Sequence, residues 1–157
     1  MGFATHLGPW LLGTVKNTTG TTAGTLRNTG ATIVAQNTAI AFGDAAGSTA
    51  AVLPAGALIT SMQIITTTGF SGGTTPTITL SIGGVAVTTA LTAPAAAGVT
   101  AFTVATTGAP LVVNVGATDV LLTYTIAGTP TGGAGTIVVS YVVRNSDGSS
   151  YPSAFQN

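Results

Sequence analysis

Apolar and polar positions along this chain alternate in short stretches, a period of two that marks half-buried β-strands rather than helices. The clearest case is Ile78, Leu80 and Ile82 interleaved with Thr77, Thr79 and Ser81, followed by Gly83-Gly84 and then Val85 and Val87. Two strands meeting across a two-residue Gly-Gly turn are predicted there, because a tight hairpin turn needs positive φ angles that glycine adopts without strain. Upstream, Thr32-Ile33-Val34-Ala35-Gln36 and Thr38-Ala39-Ile40-Ala41-Phe42 read as two short β-rich runs, punctuated by residues 43–47. Leu53-Pro54-Ala55-Gly56-Ala57 reads as a turn into residues 58–65, where both alternate sets hold apolar side chains, so that strand is expected to be covered on both faces. Further strands are predicted over residues 99–105, 111–115, 120–126 and 137–143, with residues 108–110, 116–119 and 128–135 as the loops between them. Residues 93–98 are rich in alanine but short and flanked by proline and glycine, and read as a loop. About eight short strands at spacings near ten residues predict an all-β fold, an antiparallel β-sandwich or jelly roll.

Residues 1–30 break this pattern. They hold His6, Trp10, Lys16 and Arg27 among glycine and threonine with no sustained periodicity, and read as an extended N-terminal arm ahead of a β-sandwich body over residues 31–157. Trp10, Lys16 and Arg27 are the arm's candidate assembly contacts. Burying an indole is worth up to about 5 kcal/mol before ordering costs, whether Trp10 packs on its own body or on a neighbouring subunit.

Composition sharpens the picture. Of 157 residues, charged side chains supply 4%, against roughly 25% in an ordinary soluble domain, and the formal net charge is zero. With no basic face to release counterions, nucleic acid is not an expected partner. The mean hydropathy of +0.61 comes from short apolar runs broken by threonine and glycine, so no stretch approaches the ~20 residues of a bilayer-spanning helix. The start, Met1-Gly2-Phe3-Ala4-Thr5-His6, lacks the basic region of a secretory signal although the threonine-rich, cysteine-free composition is of an extracellular type. A particle assembled in the cytoplasm and freed by lysis reconciles the two. Strands without lysine or inward charges also leave sheet edges unguarded, which predicts self-association in a threefold or other closed ring.

Candidate chemistry is sparse. A Ser-His-Asp device would have to draw on His6 with Asp44, Asp119 or Asp147, and no Gly-x-Ser-x-Gly elbow is present. The three Asp stand in turn sequences, with no Asp-x-Asp spacing for calcium, no thiol and a single imidazole for zinc. Residues 128–135 lack the Lys-Ser/Thr of a phosphate loop. No catalytic residue, cofactor or metal ligand set is therefore assigned. Tyr124 and Tyr141 fall on strands at core or interface spacing.

The segments Ala4-Thr5-His6-Leu7-Gly8-Pro9-Trp10-Leu11-Leu12-Gly13-Thr14-Val15-Lys16, Gly24-Thr25-Leu26-Arg27-Asn28-Thr29-Gly30, Leu53-Pro54-Ala55-Gly56-Ala57-Leu58-Ile59-Thr60 and Ile78-Thr79-Leu80-Ser81-Ile82-Gly83 resemble small virion proteins of tailed phages. That resemblance implies a β-sandwich or jelly-roll module without enzymatic activity, frequent threefold assembly, and a head-decoration or cement role on a major capsid protein at the capsid surface. Two other roles fit the residues: a fibre or tail module binding a receptor or glycan through residues 69–75 and 129–135, and a self-polymerising surface filament subunit.

Overall fold

In the computed structural model, residues 33–144 are described. The strands are β1 (Ile33–Ala41), β2 (Ser48–Leu53), β3 (Leu58–Ser71), β4 (Thr77–Ile82), β5 (Val85–Ala86), β6 (Leu91–Thr92), β7 (Gly98–Ala101), β8 (Val120–Ala127) and β9 (Gly132–Val142), with one short helix, α1 (Ala109–Val113). They form two antiparallel sheets. One has the order β1-β9-β3-β7, the other β2-β8-β4-β5, with β6 also pairing with β4.

The sandwich follows from the alternation. In β4 and β8, Ile78, Leu80, Ile82, Leu122 and Tyr124 turn inward. They meet Ile59, Met62, Ile64, Ile137, Val139 and Tyr141 of the opposite sheet in one core. Each large aliphatic side chain so buried contributes roughly 1.5–3 kcal/mol. Thr77, Thr79, Ser81, Thr123 and Thr125 take most of the intervening outward positions, with Leu121 and Ala127 at the others, and a β-branched carbon suits the pleat there. The predicted hairpin is present: Gly83 and Gly84 have φ of 56° and 82° between β4 and β5.

Several expectations from the sequence need correcting. The two runs on either side of Asn37 are one strand, since Asn37 only points an exposed side chain outward from a continuous ladder with β9. β2 carries no clear alternation, because a bulge between Thr49 and Ala51 buries Ala50 and Ala51 in succession. Residues 111–115, expected as a strand, include the end of α1. Pro110 sits in its first turn, where its missing N–H costs nothing, and the amides of Leu111 and Val112 donate to Gly108 O. β7 stops at Ala101, and only a single bridge, Thr88 to Val104, continues the 99–105 run. The expected loop 128–135 is half strand, because β9 starts at Gly132. Gly133 (φ 136°) lies there against the Phe70 ring, in space that a Cβ would occupy.

The opposite facing of neighbours in β8 gives a direct test. Leu122→Ala should cost about 2–5 kcal/mol in urea unfolding because it empties part of the core. Leu121→Ala, at a side chain 51% exposed, should stay within about 0.5 kcal/mol.

Candidate interaction surfaces and edge closure

Every charged side chain among the described residues is spent on holding main chain. Asp44 Oδ2 accepts from the Ala41 amide at 2.7 Å and from the Tyr124 hydroxyl at 2.6 Å. Burial of the ring, reinforced by the hydrogen bond to Asp44 and its negative charge, pushes the Tyr124 phenol up to about 12, so it remains a donor across the neutral range. Asp119 Oδ1 accepts from the Ala55 amide at 2.9 Å, joining the loop before β8 to the turn before β3. Arg144 donates from Nε to Gly56 O at 2.9 Å and from Nη2 to Val113 O, tying the end of β9 to that turn and to the last carbonyls of α1. No three His, Cys, Asp or Glu side chains come together among the described residues. Trp10, Lys16 and Arg27, with His6 and Asp147, lie outside the described residues.

The sheet edges are where the sequence reading misses most. β2 is an edge strand, and its outward groups at Val52 are met by the Gln36 side chain of β1. The Val52 amide donates to Gln36 Oε1 at 3.0 Å, and Gln36 Nε2 donates to Val52 O at 2.6 Å. One carboxamide thus does what a neighbouring strand would do, offering an acceptor and a donor side by side. Nε2 also donates to the Tyr141 hydroxyl at 2.7 Å, fixing the amide's orientation. Two residues along, Thr38 Oγ1 donates to Ala50 O at 2.8 Å. The expectation that no strand carries a guard is therefore corrected: the guards are a glutamine and a threonine of the other sheet. Their signal in the sequence is weak, two polar residues at alternate positions of a strand whose neighbouring inward position is Ile40.

At the far edge of the same sheet, Ala105 N donates to Val87 O at 3.0 Å and Thr89 N to Thr103 O at 2.9 Å, so the segment after β7 covers the chain beyond β5.

The outer faces carry no charge. On one, Ile65 of β3 (40% exposed) pairs with Val99 of β7 (64% exposed), beside Thr136 and Ala39 in the same row. On the other, Val52 (49% exposed) pairs with Leu121. At one end of the sandwich the two loops singled out in the sequence meet: Thr74 N donates to Gly128 O at 2.8 Å and Thr131 N to Ser71 O at 2.9 Å. Each holds a threonine at positive φ, Thr75 at 41° and Thr129 at 49°, a strained state for a β-branched residue.

A solved chain described as "Cyanophage Pam1 capsid asymmetric unit" is similar to this one at 20% identity and a TM-score of 0.43, over 74% of this chain and 88% of that one. No family model matches the chain, and no curated protein matches it.

The edge closure is testable by charge. Gln36→Glu keeps the size, but its ionised form cannot donate to Val52 O or Tyr141, so the carboxyl should titrate above its usual range. A raised folded pKa places the stability of the protonated form below the unfolded value near 4.3 and removes it as pH rises through the folded one. The variant should therefore be near wild type at about pH 4 and about 1–3 kcal/mol less stable at pH 7, read from urea midpoints at the two pH values.

Proposed function

We propose that the chain is a non-enzymatic structural protein of a phage virion. In this reading it decorates or cements the head, self-associates through its β-sandwich body, and binds a major capsid protein at the capsid surface. The observation that carries the reading is the chemistry of the body's surface. No residue of any described strand is charged, and the outer faces combine threonine, serine and alanine with exposed Ile65, Val99, Val52 and Leu121. Such faces have no net charge to keep copies apart and suit apolar and hydrogen-bonded contact with other protein. The sequence resemblance to small virion proteins of tailed phages supports the same reading, and the arm over residues 1–30 supplies Trp10, Lys16 and Arg27 as candidate anchors to a neighbour or to the shell.

A second reading, a glycan-binding fibre or tail module, has one observation in its favour: the convergence of the hydroxyl-bearing loops around Thr75 and Thr129. Saturable binding of the purified chain to a glycan array would move the assignment to it.

Contacts of the proposed kind offer little for salt to screen. Virions carrying the chain should retain it through washing in about 1 M NaCl, where the screening length is about 3 Å, as read by quantitative mass spectrometry of pelleted particles. Release of folded protein at about 0.3 M would contradict the reading. Removal of residues 1–30 should abolish incorporation while the body stays folded.

A further inference from the structure

We infer that the outer edge of β1 pairs antiparallel with β1 of a second copy of the chain, about a twofold axis at Gln36. The inference deepens the self-association in the reading above and rests on it for its setting, but its geometry stands on the edge itself. Phe42 N donates to Gly133 O at 3.0 Å, and the register Ile40 to Gly135 through Val34 to Tyr141 continues that phase, so even-numbered residues of β1 bond to β9. Odd-numbered residues consequently turn their main-chain groups away from the sheet. At Ala41 both outward groups are taken by Asp44, whose amide donates to Ala41 O at 3.0 Å and whose carboxylate accepts from Ala41 N. The open edge thus runs over Ile33, Ala35, Asn37 and Ala39, all exposed. Among the described residues it is the longest such edge, because β2 is closed by Gln36 and Thr38 and the outward positions of β7 are only Val99 and Ala101.

Unpaired ladder groups select another extended backbone as partner, and three features select this same strand. β1 contains no charge, proline or glycine, so it meets itself without repulsion or a break. An antiparallel pair about a twofold axis repeats every bond it makes. Finally, the Asp44 plug chooses the register. With Gln36 at the axis, Ile33 faces Ala39 of the second copy and Ala35 faces Asn37, so all four open residues on each copy are used. With Asn37 at the axis, Ile33 would face Ala41, whose groups are occupied. The contact is small beside the ~800 Å² per partner of a standard interface, so the pair is weak in dilute solution and populates at the local concentration of an assembly.

The chain has no cysteine, which makes crosslinking selective. In a hydrogen-bonded antiparallel pair the Cα atoms are about 5.5 Å apart, within disulfide reach. Mixed Ala35→Cys and Asn37→Cys chains, oxidised mildly at high concentration, should give the 35–37 product at least about fivefold over either like-with-like product. Equal yields, or a dominant 37–37 product, would overturn the register and with it the proposal. Independently, Asn37→Pro removes an N–H that no group of the described residues accepts. It should leave thermal unfolding nearly unchanged and weaken self-association at least about tenfold in sedimentation equilibrium, the equivalent of roughly 1.4 kcal/mol. Unchanged association would overturn the proposal. Because both measurements use the purified chain, their failure would leave attachment to a particle untouched, and loss of attachment would leave the pairing untouched.

Discussion

The structure depends on satisfying main-chain hydrogen bonds in a body that has almost no charged side chains to help. Strand ladders satisfy most groups, but a sandwich has edges, and an unpaired buried amide or carbonyl costs about 1–3 kcal/mol. Here neutral side chains stand in for strands. The Gln36 carboxamide serves both groups of Val52, Thr38 serves Ala50, and the buried Thr88 hydroxyl accepts from the Leu80 amide at 3.0 Å where β4 turns back. The few charges do the same work in loops, as at Asp44, Asp119 and Arg144. Among the described residues, the buried Thr66 side-chain hydroxyl of β3 has no hydrogen-bond partner.

This economy links fold to function. Polar side chains turned inward to close β2 are not available outside, and the outer faces are left to threonine, serine, alanine and a few exposed aliphatics. Among the described residues, one edge of one sheet is closed and the β1 edge of the other is open, and the faces carry no net charge. That combination fits a module whose working state is an assembly. Among the described residues, Asp44, Asp119 and Arg144 are each committed to main-chain partners.

Strict alternation made much of the fold legible. The hairpin at Gly83-Gly84, a strand over residues 120–126, and the alternation of Ile78, Leu80 and Ile82 follow from a period of two and a turn signal, whereas the pairing of β4 with β8 is seen only in the structure. What escaped has local reasons. β2 is hidden by a bulge that buries Ala50 and Ala51 together. α1 is hidden because the β-branched Val112 and Val113 favour strands while Pro110 favours a helical first turn. The start of β9 is hidden because its glycines look like loop, although Gly133 is demanded by the Phe70 ring and Gly135 by the close approach of the Ile65 carbonyl. The edge closure was illegible for a different cause: the pairing of Gln36 with Val52 is set by the juxtaposition of two sheets, and nothing in either segment announces the other.

Amide hydrogen exchange, residue by residue at a concentration where sedimentation finds single chains, tests this account most directly. The Val52 amide should be protected although it lies on an edge strand and faces no neighbouring strand, while the amides of Ala35, Asn37 and Ala39 exchange at nearly unprotected rates. If Val52 exchanges as fast as those three, the side-chain closure of β2 is not a feature of the folded protein and the account fails at its base.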